Sequence, residues 1–479
     1  MHLGLDLGTS SLKGLLIDDD QKIIAEASVA LTVARPFDGW SEQEPREWIV
    51  AAISVLEQLR TKSDLSALKS IGLSGHMHGA TLIDKNDDVL RPCILWNDTR
   101  SHVEAATMDA DPAFREISGN IVFPGFTAPK LAWVQNNEPD IFDRVAKVLL
   151  PKDFLRLWLT GDHVAEMSDA AGTSWLDTGK RDWSDALLGK TNLSRDHMPR
   201  LVEGSEVSGT LRKALCQQFD IGNTVVVAGG GGDNAASAIG VGVARAGDAF
   251  VSLGTSGVLF AASDGYRPDA ASAVHTFCHA LPQTWHQMGV ILSATDSLNW
   301  YANLVGQKPS DLTAALDVEA LQAPGRALFL PYLGGERTPH NDAAVRGALL
   351  GLDHVTDTNA GTRAVLEGVV HALRDNFDAL VSTGTKIERI VAVGGGSKSD
   401  YWLQALATSL DIAIDVPVAG DFGAALGAAR LGMMAAGASQ DIIVRPTMQK
   451  TIMPNKHMTN AFADAHSRYR EAYKATRMF

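Results

Sequence analysis

Val225–Gly240 reads VVVAGGGGDNAASAIG. Its three opening β-branched residues predict a buried strand. The glycines Gly229–Gly232 follow, where the backbone is free to take positive φ and a ligand can approach it closely. Asp233 comes next, and the small residues Ala235, Ala236, Ser237 and Ala238 predict a tightly packed helix. An acid between a strand end and a helix start stands where open α/β sheets hold ligands. Taken alone, Asp233 fits two roles: a base that takes a proton from a hydroxyl, or a helix cap. What lines up around it favours the first.

The N-terminus repeats this logic on a hairpin. In MHLGLDLGTSSLKGLLID, Leu3, Leu5 and Leu7 alternate as in a strand, Asp6–Ser11 reads as a turn, and Leu12–Ile17 reads as a second strand. A tip of Gly8, Thr9 and Ser10 offers N–H and O–H donors to phosphate oxygens. Asp6 at the strand end suits a hydrated Mg²⁺, which prefers a carboxylate and several waters. A plain turn uses the same residues, but there is a second copy. Ser252–Gly257 matches Asp6–Ser11, with Leu-Gly-Thr-Ser identical, half a chain away. A repeat at that period predicts two related domains, divided as 1–245 and 246–479. Each then carries one donor-rich hairpin, and the two can clamp a polyphosphate across a cleft. Ser252 replaces Asp6, so only the first copy offers a carboxylate to a metal. A second pairing, Val418–Asp421 followed by Ala424, Ala425, Gly427 and Ala428, resembles Val227–Gly240. Asp421 reads there as a cap.

Other stretches carry candidate chemistry. Ile71–Thr81 is IGLSGHMHGAT. His76 and His78, two apart on an extended chain, would face the same way. No Cys/His cluster of ligand spacing accompanies them, which leaves hydrogen bonding to a polyhydroxylated ligand or ordinary packing. Trp96 beside Asp98 and Arg100 suits a sugar, as a flat apolar face with charged partners; a buried Trp beside a surface ion pair is the alternative. The aromatics Phe123, Phe126, Trp133, Phe154, Trp158 and Trp175 read mostly as packing. Leu328–Arg337 ends an apolar run in a Gly-rich loop with charges, and Ala360–Leu380 has helical period. Arg389–Trp402, RIVAVGGGSKSDYW, is a second long strand ending in glycines. Gly394–Gly396 would let a base or ribose lie on backbone, and Ser397 would start a helix whose N-terminus favours phosphate. Thr459–Arg477 reads as a polar amphipathic helix.

Composition bounds the rest. A chain of 479 residues is too long for one core. With 45% hydrophobic and 20% charged residues it is ordinarily globular. A net charge of −14 provides no field for nucleic acid or an anionic membrane. An anionic ligand must therefore be held by local N–H groups and a metal. Cys93, Cys216 and Cys278 are odd in number and far apart, which argues against disulfides and a zinc site and fits a reducing cytosol. The start is not a signal peptide, and no apolar run reaches the ~18 residues of a membrane span. A soluble cytoplasmic protein is expected.

These residues together resemble the actin-fold ATPases and, within them, the FGGY carbohydrate kinases. Gly125–Gln135, GFTAPKLAWVQ, matches that family's first signature. Gly347–Leu352 with Ala364–Glu367 matches the second, from which Ala360 and Gly361 depart. Gly75, Met77–Thr81, Leu95–Asp98, Pro151–Asp153, Ser168–Thr173 and Gly335–Asn341 are typical of members that phosphorylate ketopentoses; His76 stands where Gln is more usual. The resemblance implies an α/β fold of two duplicated actin-like (ribonuclease H-like) ATPase domains with an interdomain cleft that closes on sugar. It implies ATP, Mg²⁺, transfer of the γ-phosphoryl group to a ketopentose hydroxyl, and a homodimer. Residue by residue, it makes Asp233 the base and Asn234 a sugar contact, with Met77, His78 and Trp96 on the sugar's other side. Asp6 organises metal and phosphates, with Asp233 beside the metal. Gly8, Thr9, Ser10, Lys13, Gly254 and Thr255 face the phosphates, and Gly394, Gly395 and Lys398 lie along the nucleotide. A kinase of ribulose, gluconate, glycerol or a deoxyhexulose, an actin- or chaperone-like ATPase and a sugar-sensing regulator are the competing readings.

Overall fold

Two seven-stranded mixed sheets organise the chain. The computed structural model describes all residues except 223, 319, 419–422 and 478–479, so the reading of Asp421 lies outside the described residues. The first half contains β1 (His2–Leu7), β2 (Ser11–Ile17), β3 (Ile23–Ala30), α1 (Pro45–Lys62), β4 (Ser70–Gly75), α2 (Thr127–Asn137), α3 (Pro151–Thr160), β5 (Val207–Thr210), β6 (Val226–Ala228) and α4 (Asp233–Gly240). The second contains β7 (Gly247–Leu253), β8 (Gly257–Ser263), β9 (His275–Cys278), β10 (Trp285–Ile291), α5 (Thr295–Val305), α6 (Pro309–Asp317) and α7 (Thr358–Ser382). It ends with β11 (Ile387–Val393), α8 (Asp400–Leu410), β12 (Ile414–Pro417), α9 (Gly423–Ala435), β13 (Met448–Ile452) and α10 (Thr459–Thr476).

The first sheet has the order β3-β2-β1-β4-β6-β5, with Gly231–Gly232 pairing beside β4. The second has the order β9-β10-β8-β7-β11-β12-β13. Leaving out β9, the two match strand for strand. The hairpin and its outer neighbour are antiparallel. The next two pairings are parallel, and the last is antiparallel. The short Leu-Gly-Thr-Ser repeat is thus the trace of a repeated topology.

Strand alternation decides which face meets the cleft. Leu3, Leu5 and Leu7 are fully buried and cluster with Trp48, Ala51, Ala52 and Val55 of α1. Gly4 and Asp6 therefore point to the opposite face. That face is covered by α9, although α9 comes near the end of the chain. A Cβ on Gly4 would lie 1.9 Å from the Ala425 carbonyl oxygen, and one on Gly72 would lie 1.7 Å from that of Ala428. Only glycine lets the helix lie directly on β1 and β4. Where α9 crosses α4, a Cβ on Gly427 would lie 1.7 Å from the Ala236 carbonyl oxygen.

A second seam joins the halves. The Asn120 amide exchanges two hydrogen bonds, both 2.9 Å, with the Thr276 backbone of β9. Arg181 donates to the Thr284 and Leu281 carbonyls at 2.8 and 3.2 Å. Trp285 Nε1 donates to the Thr178 carbonyl at 2.9 Å. Among the described residues no helix is long and apolar enough to cross a membrane.

Candidate active site

Strand register sets the floor of the cleft. Asp6 stands opposite Lys13 on β2 and Ser74 on β4; on the other side of β4, Gly231 stands opposite Ser74 and Gly232 opposite Gly75. With strands ~4.8 Å apart, Asp6 and the start of α4 end up two strand spacings from each other. Gly232 takes the cap position, so Asp233 is the first helical residue and not the cap. Its Oδ1 accepts the Asn234 N–H at 2.7 Å and Asn234 Nδ2 at 3.0 Å. Its Oδ2 has no protein partner among the described residues. Burial, reinforced by the Asp6 charge and opposed by the Asn234 donors, raises the Asp233 carboxyl to about 6. Burial raises Asp6 as well, against the Ser74 hydroxyl and the Lys13 ammonium.

A buried ionic network holds the loop that carries Asp233. Arg156 of α3 donates to the Ala228 and Gly229 carbonyls at 2.9 and 2.6 Å. The Gly232 N–H donates to Ser168 Oγ at 3.0 Å, and that hydroxyl donates to Glu166 at 2.9 Å. Lys152 Nζ lies 2.8 Å from Asp153, 2.9 Å from Asp169 and 3.4 Å from Glu166, all fully buried. Burial alone would strip the Lys152 proton; the three carboxylates outweigh it and push the ammonium up. This network explains Pro151–Asp153 and Ser168–Thr173, to which the sequence reading attached no role.

Opposite Asp233, Met77 packs against the loop: a Cβ on Gly232 would meet its Cγ at 2.9 Å. His78 takes φ 69°. That turn undoes the expectation that His76 and His78 face the same way. The His76 ring is buried 5.8 Å from the Trp48 ring, with neither nitrogen hydrogen-bonded. The His78 ring stacks on Phe126 at 4.5 Å. Its Nδ1 lies 2.7 Å from the Gly172 carbonyl and so carries the proton. Burial, with Lys130 nearby, lowers its pKa to about 3, so the ring is neutral and Nε2 is an acceptor. The His78 carbonyl accepts Lys130 Nζ at 2.9 Å and Thr127 Oγ1 at 3.2 Å. Lys130 also reaches the Gly125 carbonyl at 2.7 Å, and burial pushes it down to about 7. The lysine of the first signature therefore pins the left-handed turn at His78.

For Trp96–Arg100 the alternative of a buried Trp beside a surface ion pair is corrected, because the Trp is the exposed member and the ion pair the buried one. Trp96 is 49% exposed, and its Nε1 donates to Thr9 Oγ1 at 3.1 Å, bracing the first hairpin tip. Asp98 and Arg100 are buried and bidentate, at 2.9 and 2.6 Å, with the guanidinium 3.5 Å over Trp40. Those two charges satisfy each other. Phe126 and Phe123 are also more than packing, since Phe126 backs His78.

The hairpin tips differ from expectation in one donor. The Gly8 N–H is committed to the Ser11 carbonyl at 3.0 Å. The Thr9 and Ser10 N–H groups and the Ser10 hydroxyl have no protein partner among the described residues. On the second hairpin, the Gly254 and Thr255 carbonyls accept N–H groups of Thr295 and Ala294 at 2.9 and 2.8 Å, anchoring the tip to the start of α5. Gly394 takes φ 89°, and Gly395 has open space on its side-chain face. A cavity of about 390 Å³ lies between α5, α6 and this turn, lined by Leu298, Pro309, Ala314, Gly396, Lys398 and Trp402. A second, of about 420 Å³, lies on the other side of Lys398, against Val416 and Pro417. Ser397 does not start a helix. Gly395–Lys398 is a single tight turn, and α8 begins at Asp400 with Ser399 as its cap. Asp317 takes the Ser399 hydroxyl and the Tyr401 N–H, both at 2.8 Å. A carboxylate already fills that helix end, so it is no phosphate site.

The sequence profile of the FGGY family of carbohydrate kinases matches the chain in two parts: its N-terminal domain over residues 1–240 and its C-terminal domain over residues 249–436. The chain is 45% identical over 478 residues to the xylulose kinase of Escherichia coli strain K12, covering 99% of each. It is 47% identical over 453 residues to that of Klebsiella pneumoniae, covering 94% of this chain and 93% of the relative. A crystal structure of a "xyloylose kinase" from Brucella ovis superposes with a TM-score of 0.98 at 59% identity, covering 99% of both chains.

Proposed function

The chain belongs to the FGGY family of carbohydrate kinases, and from that premise we propose that it moves the γ-phosphoryl group of ATP to D-xylulose, giving D-xylulose 5-phosphate, with Asp233 as general base. The free Oδ2 of Asp233, held on a clamped loop opposite Met77 and His78, carries this reading. As the sugar oxygen attacks phosphorus, its O–H bond breaks and Asp233 takes the proton. The bond from the γ-phosphorus to the bridging oxygen breaks, and ADP leaves. Such help is typically worth ~10²–10⁴-fold in rate. Asn234 holds the other carboxylate oxygen, and His78 Nε2 accepts from a sugar hydroxyl.

Phosphoryl transfer otherwise needs alignment and charge neutralisation. The donors at Thr9 and Ser10, which have no protein partner among the described residues, would meet the polyphosphate together with Gly254, Thr255 and Lys13. The apolar side of the 390 Å³ cavity, beside Gly395, suits a flat base. Asp6 fits a divalent cation: it is a half-buried carboxylate of raised pKa with one ammonium nearby, and Mg²⁺ takes one or two carboxylates, keeping waters. When bound there, Mg²⁺ would neutralise charge on the phosphate oxygens.

The test is ADP release measured with a panel of ketoses, polyols and aldonates. Release that depends on xylulose is expected. Release independent of any sugar would favour a chaperone-like ATPase, and a better aldonate or polyol would move the reading to another sugar of the same fold.

A further inference from the structure

Arg337 has no role in the scheme above. Its guanidinium lies 4.7 Å over the Phe123 ring, and Nη1 is 3.5 Å from His275 Nε2. Among the described residues no carboxylate pairs with it. The adjacent Glu336 turns away, its Oε1 accepting the backbone N–H of Arg337 at 2.7 Å and of Leu292 at 3.1 Å. Burial raises Glu336 to about 8, so near neutrality it is mostly protonated and supplies little charge. His275 is held neutral by burial. A planar fork of five donors is thus left with one long contact. An under-used guanidinium in a desolvated wall is costly unless a ligand completes it.

The surroundings say which ligand. Phe123 lies 5.6 Å from Phe126, the ring that stacks beneath His78, and Phe126 lies 5.9 Å from His275. Arg337 therefore faces, from the second half of the molecule, the wall that presents His78 from the first. We propose that Arg337 determines specificity by donating to the carbonyl end of the open-chain ketose, the end remote from the hydroxyl that Asp233 deprotonates. This rests on the reading of the site as a ketopentose kinase. A ketone oxygen with the neighbouring hydroxyl offers two acceptors in a geometry suited to the guanidinium fork. The matching polyol carries a tetrahedral C–OH in place of the ketone and meets the fork less well.

The experiment compares kcat and KM for D-xylulose and for the matching pentitol in wild type, Arg337→Met and Arg337→Lys. A charge-assisted contact remote from the reacting atoms acts on binding more than on turnover. Arg337→Met is expected to raise KM for xylulose about 10- to 100-fold. Its kcat, its KM for ATP and its kcat/KM for the pentitol stay within about threefold on the same reasoning. Arg337→Lys, which keeps charge without the fork, falls between, and it carries the test if the Met variant does not fold. An unchanged KM for xylulose, or equal losses on ketose and pentitol, would overturn the inference alone. A wild type with no ketose-dependent ADP release would overturn the functional reading, and this inference with it.

Discussion

Asp233 is suited to the proposed role of general base by what it lacks. One carboxylate oxygen is bound by Asn234, the other has no partner among the described residues, and burial lifts its pKa to about 6. A base poised near the working pH both accepts and releases protons readily. Asp233→Ala should lower kcat ~10²–10⁴-fold while equilibrium titration still detects sugar; near-normal kcat would remove Asp233 from the mechanism. Lys130 is the residue behind His78. Lys130→Met leaves the Gly125 carbonyl unsatisfied, at about 1–3 kcal/mol, and leaves the His78 carbonyl with Thr127 Oγ1 alone. The expected outcome is a raised KM for sugar with KM for ATP unchanged. Equal effects on both substrates would mean that Lys130 serves general stability.

At the scale of elements, α9 and α7 make opposite kinds of contact. The α9 helix depends on missing side chains. Gly72→Ala puts a methyl 1.7 Å from the Ala428 carbonyl oxygen, and the helix must lift off the sheet. Overpacking of this kind costs about 1–3 kcal/mol or more, so a lower urea midpoint is expected. In α7 a charge is buried. Glu367 accepts the Tyr401 hydroxyl at 2.9 Å, and burial raises its pKa from 4.5 to about 7. Its contribution is fully present below pH 4.5 and is lost as pH rises through 7, because only the unfolded chain ionises freely in that window. The loss approaches about 3 kcal/mol. Glu367→Gln keeps an acceptor for Tyr401, so it should raise the melting temperature at pH 8 and leave it unchanged near pH 4. A parallel shift at both pH values would show that ionisation of Glu367 is not the cause.

The whole molecule is a duplicated scaffold joined along two seams. One is the crossing of α4 and α9 behind the cleft; the other is the contact of residues 120–181 with β9 and β10. The glycine-lined crossing leaves no bulky side chains between the two helix backbones. Closure would keep water from taking the phosphoryl group. Small-angle scattering should show compaction when sugar and a nucleotide analogue are both present. An unchanged radius of gyration would count against closure on substrate.

Short-range pattern alone determined the paired hairpins, the strand ending in Gly229–Gly232, the helix after Asp233 and the two-fold organisation of the chain. Alternation at Leu3, Leu5 and Leu7 and a repeated Leu-Gly-Thr-Ser depend only on neighbours in the chain, so they can be read without coordinates. The tertiary structure decided everything that depends on where a side chain ends up. It set α9 on the first sheet and separated His76 from His78 by one positive φ. It filled the start of α8 with Asp317, and it buried the Asp98–Arg100 pair while leaving Trp96 exposed. It also brought Lys152, Arg156 and Glu166 under the Asp233 loop and Arg337 to the far wall. Apart from the Asp98–Arg100 pair and the turn at His78, these contacts join residues tens to hundreds of positions apart. Their energies come from desolvation and close packing, which no local spacing encodes.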